Sequence, residues 1–251
     1  MFSYQAPSDL LKERVILVTG AGSGIGRTAA LTYARHGASV ILVGRTISKL
    51  ESVYDEIEAA GGAKPAIFPV NLESALTNDY DQLAVAIEDT FGRLDGLLHN
   101  AGVLGQLTPL EQYDPDSFNR VMQVNVHAEF LMTRALIPLL KQSQDGSLVF
   151  TSSSVGRKGR AYWGAYSISK FAVEGMMQVL AEELGSAVRV NSLNPGGTRT
   201  AMRANAFPGE DPESLPTPED IMPVYLYLMG ADSRGISGQT FSAREGAPGK
   251  P

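Results

Sequence analysis

One tyrosine in the sequence has the spacing that acid–base chemistry needs. Tyr166 is followed four residues later by Lys170, and none of the other eight tyrosines has a lysine at that offset. Four residues along a helix place two side chains on one face. A tyrosine hydroxyl is a poor acid–base group at neutral pH, but a lysine ammonium beside it stabilises the phenolate. The pair therefore indicates a proton donor and acceptor for carbonyl or alcohol chemistry, and the alternative is two residues on a helix surface.

A glycine-rich turn follows the first apolar run, Val15–Thr19, and precedes a helical pattern. Small residues let a backbone approach a diphosphate, and free N–H groups at a helix start bind the anion. The common G-x-G-x-x-G pattern fails because Ile25 stands where its third glycine is needed. The pattern T-G-x-x-x-G-x-G, from Thr19 to Gly26, fits. A tight turn alone is the simpler interpretation, but the strand–turn–helix context favours dinucleotide binding.

This glycine spacing, together with later motifs, resembles the short-chain dehydrogenase/reductase family over nearly the whole chain. The stretches HNAG, TSSSVGR, WGAY and NPGGTRTAMRA resemble most closely a YciK-like group of bacterial reductases. The resemblance implies a hydride transfer between a nicotinamide cofactor and a carbonyl or alcohol substrate. A different class, a non-catalytic NADP(H)-binding sensor or interaction protein, stays open because a fold does not fix a function.

The resemblance also implies a catalytic set. Ser153 lies thirteen residues before Tyr166 and three before Gly156, as the family's serine does, and would hydrogen-bond the substrate oxygen. Asn125 matches the family's helix asparagine, which helps to hold the lysine, here Lys170, and a water in a proton relay. A surface or helix-bending asparagine is the alternative for Asn125.

The cofactor contacts implied by the resemblance come from five segments. They are Gly20, Ser23, Gly24, Ile25 and Gly26 in the glycine turn, Asn71 and Leu72 after the third strand, Asn100, Ala101 and Gly102 after the fourth, the pair Tyr166 and Lys170, and Pro195, Gly196, Thr198 and Thr200 near the nicotinamide end.

The end of the second predicted strand favours NADP(H) over NAD(H). The family's NAD-selecting aspartate would stand at position 44, where this sequence has Gly44, and Arg45 follows at once. An arginine can make a charge-assisted contact with a 2′-phosphate, which a carboxylate would repel. The alternative is a solvated loop arginine. Some NADP-binding relatives carry a second basic residue where this chain has Ser23, so the expected preference is moderate.

Seven short apolar runs alternate with six helical patterns, and these elements must position the chemistry. The runs are β-branched or leucine-rich without alternation, as in strands covered on both faces. We predict an α/β fold: a single-domain Rossmann-type, doubly wound parallel sheet of about seven strands with helices on both faces. The long fourth helix is predicted over Asp116–Gln142. One domain spans 1–251, with a loose tail at 244–251. The irregular segment at 200–218 is predicted to be a substrate-side lid, and a static insertion is the alternative.

Composition excludes several classes of protein. There is no cysteine, which excludes disulfides and thiolate chemistry, and the three histidines lie far apart, so no metal is expected. A net charge of −6 gives no nucleic-acid footprint. Without a signal core or a membrane-spanning run, we expect a cytoplasmic protein.

Five cations lie in two segments that border the substrate mouth in the family. They suggest an anionic or carrier-linked substrate, unless some are solvated and others bind cofactor phosphate. They are Arg157, Lys158, Arg160, Arg199 and Arg203. Relatives form dimers or tetramers through their long helices, so a homodimer or homotetramer is expected, with apolar positions on Phe118–Leu140 and Phe171–Leu184 at the interface.

Overall fold

The computed structural model describes residues 1–245 and contains a seven-stranded sheet in which every strand pair is parallel. The strand order is β3-β2-β1-β4-β5-β6-β7, which confirms the predicted doubly wound fold. The strands are β1 (Val15–Thr19), β2 (Ser39–Gly44), β3 (Ala66–Pro69), β4 (Gly96–His99), β5 (Gly146–Thr151), β6 (Val188–Asn194) and β7 (Thr240–Ser242).

Helices connect the strands and cover both faces of the sheet. They are α1 (Gly24–Arg35), α2 (Ile47–Ala59), α3 (Thr77–Phe91), α4 (Pro115–Met122), α5 (Ala128–Gln142), α6 (Gly164–Leu184), α7 (Ala201–Ala206) and α8 (Met222–Met229). Each strand supplies two cores because successive side chains point to opposite faces. Ile16 and Val18 of β1 pack with α1, α2 and α8, whereas Val15 and Leu17 pack with α3, α5 and α6.

The long helix predicted over Asp116–Gln142 is confirmed within one residue, and it contains a π-helical turn, Gln123–His127, between α4 and α5 that the sequence pattern did not predict. A π-turn inserts one residue per turn and is frequent at functional sites. Here the π-turn contains Asn125, whose side-chain amide forms hydrogen bonds with the backbone of Val103.

The segment 200–218 is more regular than predicted. Thr200 caps α7 by accepting a hydrogen bond from the Arg203 N–H (3.2 Å), and the Arg199 N–H donates to the Pro216 carbonyl (2.9 Å). The density of proline and glycine after Ala206 concealed this short helix from the sequence pattern. Of the predicted loose tail, 246–251 lies outside the described residues, and the Arg244 guanidinium donates to the Gly197 carbonyl.

The topology sets where a ligand can bind. From the central pair β1 and β4, the chain winds outward to β2 and β3 on one side and to β5, β6 and β7 on the other. The loops after β1 and β4 therefore diverge and leave a crevice at the carboxyl edge of the sheet.

Candidate active site

A cavity of about 400 Å³ fills this crevice. It extends from the turn after β1 to the loop after β6 and to Met202 of α7. Most of the predicted site residues line it, and they come from six separate segments of the chain.

The glycine turn forms one wall, to which Gly20, Ser23, Gly24 and Ile25 all contribute. Gly20 (φ +67°) and Gly24 (φ +52°) adopt left-handed conformations that side chains rarely take. Gly26 does not line the cavity. A Cβ there would collide with the Gly20 carbonyl oxygen, so Gly26 lets α1 pack against the turn.

The turn after β4 forms the next wall, and Asn100, Ala101 and Gly102 line the cavity there. Thr19 holds this wall to β1, because its Oγ1 accepts the backbone N–H groups of Asn100 (2.9 Å) and Ala101 (3.0 Å). The Asn100 amide donates in turn to the Thr19 carbonyl (3.2 Å). The sequence motif includes Thr19, but its role as the link between the two walls emerges only from the fold.

Two cations stand at the far end of the cavity, after β2. Arg45 is exposed, lines the cavity, and makes no ion pair with any residue between 1 and 245. Lys49, one turn into α2, lines the cavity beside it, and sequence reasoning missed this residue. Its offset of four from Arg45 was the available signal. The carboxylate on this wall, Glu73, is paired with Arg120 (2.9 Å).

Asn71 and Leu72, which follow β3, also line the cavity. The Leu72 carbonyl accepts a long hydrogen bond from the Gln123 amide (3.4 Å). Both predicted residues are therefore placed at the cavity.

Tyr166 and Lys170 lie on one face of α6, and both side chains line the cavity. The Lys170 ammonium nitrogen is 6.0 Å from the centre of the Tyr166 ring and donates to the Thr151 carbonyl (2.8 Å). Only 3% of Lys170 is exposed. A buried ammonium held by a backbone carbonyl at the end of β5 keeps a fixed position beside the phenol.

Ser153 lies just beyond β5 at the start of a one-turn 3₁₀ helix, half-buried, and its Oγ accepts a long hydrogen bond from the Val155 N–H (3.4 Å). It is not on the lining of the cavity, whereas Ser152 is. The glycine three residues after Ser153 has a packing role, because a Cβ on Gly156 would lie 2.7 Å from the Lys170 Cβ. The glycine thus lets this loop pack directly against the helix that carries the lysine.

Asn125 is fully buried in the π-turn and does not line the cavity. Its Oδ1 accepts the Val103 N–H (2.8 Å), and its Nδ2 donates to the Val103 carbonyl (2.9 Å) and to Ser169 Oγ (3.1 Å). The side chain therefore fixes the loop after β4 and bonds to α6 beside Lys170. It makes no hydrogen bond to the lysine itself.

The loop after β6 closes the nicotinamide side of the predicted site. Pro195 and Thr200 line the cavity, but Gly196 and Thr198 do not. Gly196 has φ +72°, and Thr198 is buried, with its hydroxyl donating to the Pro195 carbonyl (3.2 Å). These two residues shape the loop that carries the lining residues.

A buried polar cluster lies behind Lys170. His99 is stacked on Phe150 (centroids 5.0 Å apart), and its Nε2 is 2.8 Å from Thr133 Oγ1. Burial, followed by the field of Lys170, lowers the pKa of His99 to about 3. Burial raises the pKa of Glu129 to about 8, with Lys170 opposing the shift. His99 is therefore a structural neutral histidine.

Most of the cations predicted to border the substrate mouth are already paired. The guanidinium of Arg157 bonds Glu174 (2.9 Å), that of Arg199 bonds Glu213 (3.0 Å), and that of Arg203 bonds both oxygens of Glu210. Intramolecular carboxylates thus offset much of the local positive charge, which sequence alone could not reveal. Of the five, Lys158 and Arg160 make no ion pair within residues 1–245.

Two further aromatic rings lie near the Tyr166 phenol. The Trp163 ring lies 5.8 Å from that of Tyr166 and 5.9 Å from that of Phe207, measured between centroids. The Arg203 guanidinium lies over the Phe207 ring, 3.7 Å from its centre. The segment after α7 is therefore held near the start of α6 by apolar and cation–π contacts.

Three comparisons place the chain among known proteins. The family model described as short chain dehydrogenase matches residues 14–211. The "uncharacterized oxidoreductase YciK" of Escherichia coli (strain K12) is 58% identical over 243 residues, which cover 97% of this chain and 96% of the relative. Both findings confirm the resemblance inferred from the motifs.

Two solved structures are similar to the whole fold and contain a nicotinamide cofactor. A short chain dehydrogenase from Shigella flexneri 2a strain 301, complexed with NADP, superposes with a TM-score of 0.94 at 57% identity, covering 95% of this chain and 100% of that one. One from Escherichia coli CFT073, complexed with NADPH, gives a TM-score of 0.94 at 58% identity with the same coverage.

Among residues 1–245, no helix is both long and apolar enough to cross a bilayer.

Proposed function

We propose that this chain, which belongs to the short-chain dehydrogenase family, transfers a hydride between NADP(H) and a carbonyl or alcohol substrate, with Tyr166 as the acid and base. The observation that carries the proposal is the position of Tyr166 and Lys170. They share one face of α6 and line the same cavity as the glycine turn.

The cavity fits a phosphorylated dinucleotide. Gly20 and Gly24 leave their backbone uncovered where a diphosphate would approach the start of α1. Arg45 and Lys49 supply positive charge at the far end, and Gly44 replaces the carboxylate that would repel a 2′-phosphate. The NADP and NADPH found in the two similar structures support the same choice.

The chain's own residues would handle the proton. When bound, the cofactor supplies or accepts the hydride. In reduction, the Tyr166 hydroxyl gives its proton to the substrate oxygen, and the Lys170 ammonium stabilises the phenolate left behind. Ser153 would donate a hydrogen bond to the same oxygen as negative charge develops on it. Asn125 would hold the loop after β4 in place against α6.

The decisive variant is Tyr166→Phe, which removes one hydroxyl and keeps the ring. Turnover should fall by roughly a thousandfold or more, since general acid catalysis and the correct positioning of the proton are both lost. NADPH binding, followed by its fluorescence, should stay close to that of the unaltered protein. Retained turnover in Tyr166→Phe would overturn the mechanism.

A non-catalytic NADP(H) sensor would bind the same cofactor but would not require the proton-handling set. A panel of ketones, aldehydes and 3-oxoacyl thioesters, assayed by NADPH oxidation, distinguishes the two classes. Oxidation that depends on both a panel compound and Tyr166 supports the enzyme. NADPH binding without any turnover on the whole panel favours the sensor.

We also propose that the substrate end of the cavity recognises an apolar carbonyl compound more readily than an anion. Three of the five cations near the mouth are paired with Glu174, Glu210 and Glu213. The ring of Trp163 instead packs beside that of Tyr166, and Phe207 packs against Trp163. Thr200 and the segment to 218 would then close over the substrate as a lid.

The outer face of α6 supports a proposal of self-association. Ile168, Phe171 and Val179 are exposed large apolar side chains on one face, and Phe130 of α5 is also exposed. A Cβ on Gly175, which falls on the same face, would meet nothing within 4 Å, so a second helix can approach closely. A second copy presents the identical stripe, as a two-fold dimer requires.

A further inference from the structure

A buried glutamate stands directly behind the lysine of the proposed mechanism. Glu129 of α5 and Lys170 of α6 are each about 3% exposed, and the Glu129 Oε1 lies 3.9 Å from the Lys170 Nζ. Neither Glu129 oxygen has a hydrogen-bond partner among residues 1–245. An unpartnered buried carboxyl is costly, and such groups in native proteins usually serve a purpose.

The position of Glu129 follows from the π-turn. Asn125 is four residues earlier on the same continuous helix, where it anchors the loop after β4 and Ser169 of α6. The helix therefore presents Asn125 and then Glu129 toward α6. Asn125 fixes the segments around Lys170 through its hydrogen bonds to Val103 and Ser169, and Glu129 adds a buried carboxyl next to the lysine.

The titratable groups at this cluster are few. Lys170 comes from α6, and Tyr166 lies beside it on the same helix; His99 comes from β4 and bonds Thr133, one turn beyond Glu129. The strand β5 contributes the Thr151 carbonyl and no charge. The ion pair between α3 and α5, Asp81 with Arg134, is half-exposed and so lies outside the buried cluster.

We propose that Glu129 is a positioning residue for the Lys170 ammonium, and that its carboxyl sets how much positive charge acts on Tyr166. The proposal rests on the proposed function of Tyr166 and Lys170. A neutral carboxyl leaves the full charge of the ammonium directed at the phenol. An ionised carboxylate 3.9 Å behind it offsets part of that charge and weakens its support for the phenolate.

The consequence is a pH effect with a definite direction. Burial places the pKa of Glu129 near 8, so the carboxyl is neutral below that pH and ionised above it. The rate should therefore decrease as Glu129 ionises. Replacing Glu129 with a group that does not titrate should remove this decrease and leave the rest of the profile in place.

The test measures kcat between pH 6 and 10 for the unaltered protein and for Glu129→Gln, with NADPH and the panel carbonyl that is reduced fastest. The ratio of the variant's kcat to that of the unaltered protein should stay constant up to about pH 7. It should then rise, by roughly tenfold, across an inflection near pH 8. A ratio that does not change with pH would overturn the proposal, whatever its absolute value.

Glu174→Gln is the matched control. Glu174 is a second buried glutamate, on α6, but its carboxylate is bonded to Arg157 (2.9 Å) and to Ser192 (2.8 Å). Its kcat ratio should not vary with pH. If Glu129→Gln does not fold, Glu129→Met, of similar length, tests the same titration. An inflection that persists in Glu129→Met contradicts the proposal.

Unfolding without cofactor or substrate gives an independent readout. A carboxyl whose pKa is raised on folding contributes stability that is full below its ordinary value of 4.5 and is lost as the pH rises through about 8. Glu129→Gln should therefore gain stability relative to the unaltered protein between pH 5 and 8; parallel curves would count against the proposal.

If Tyr166→Phe keeps its turnover, the proposed function itself fails. If Tyr166→Phe is inactive but the kcat ratio is flat, only the role of Glu129 fails.

Discussion

His99 should make the folded protein sensitive to acid. It is 1% exposed, and burial lowers its pKa from the ordinary 6.5 to about 3. The unfolded chain therefore binds a proton at this residue before the folded protein does. The stabilising effect of the neutral ring is present above pH 6.5 and is lost as the pH falls. We expect His99→Asn, which does not titrate, to remove that loss.

The size of the effect follows from the two pKa values. Each pH unit between 6.5 and about 3 is worth about 1.4 kcal/mol, so the unaltered protein loses about 2 kcal/mol at pH 5 through this group alone. At pH 7, His99→Asn should be the less stable protein by about 1–2 kcal/mol, since it loses the stacking on Phe150 and alters the bond to Thr133. The gap between the two proteins should close at pH 5.

Urea unfolding at pH 7 and pH 5 measures both quantities. Glu129 is present in both proteins, so its opposite dependence on pH cancels in the difference. His127→Asn makes the same substitution at an exposed histidine and is the matched control. If His99→Asn and the unaltered protein lose stability in parallel between pH 7 and pH 5, the description of His99 as a buried neutral group is wrong.

Two further predictions concern the cofactor and self-association. Arg45→Ala should weaken NADPH binding by roughly tenfold at low salt and leave NADH binding unchanged, because an exposed cation at the end of the cavity interacts with the additional phosphate alone. Fluorescence titration with each cofactor measures this, and an equal loss for both would place Arg45 elsewhere in the site. Phe171→Glu should shift the protein toward a monomer in sedimentation or size-exclusion experiments, since it places a charge in the apolar stripe of α6. An unchanged oligomer would exclude that stripe as the interface.

The strand pattern and the local motifs could be predicted from sequence because their physical causes are local. Apolar runs without alternation indicate strands covered on both faces, and the sheet contains the expected seven strands. The glycine turn was readable because positive φ at Gly20 and Gly24 and the packing at Gly26 each demand a residue without a side chain. Tyr166 and Lys170 were readable because four residues is one turn of a helix.

The tertiary structure decided which charges are free to act. Arg157, Arg199 and Arg203 looked like a binding surface for anions in the sequence, but each finds a carboxylate in the folded chain. Conversely, Lys49 looked like an ordinary helix residue, yet it joins Arg45 at the cavity. The electrostatic effect of a charged side chain depends on its ion-pair partners and its burial, and neither can be read from the sequence alone.

The proposed acid–base chemistry at Tyr166 illustrates the division. The sequence by itself indicates the type of chemistry, since Tyr166 and Lys170 are recognisable from their kind and spacing and Ser153 from the family resemblance. Only the fold placed Glu129 3.9 Å behind Lys170 and buried His99 against Thr133, because β4, α5 and α6 meet there through contacts between residues 41 and 34 positions apart. Local spacing fixes which groups share a helix face, whereas burial and the electric field at those groups arise from the packing of separate elements.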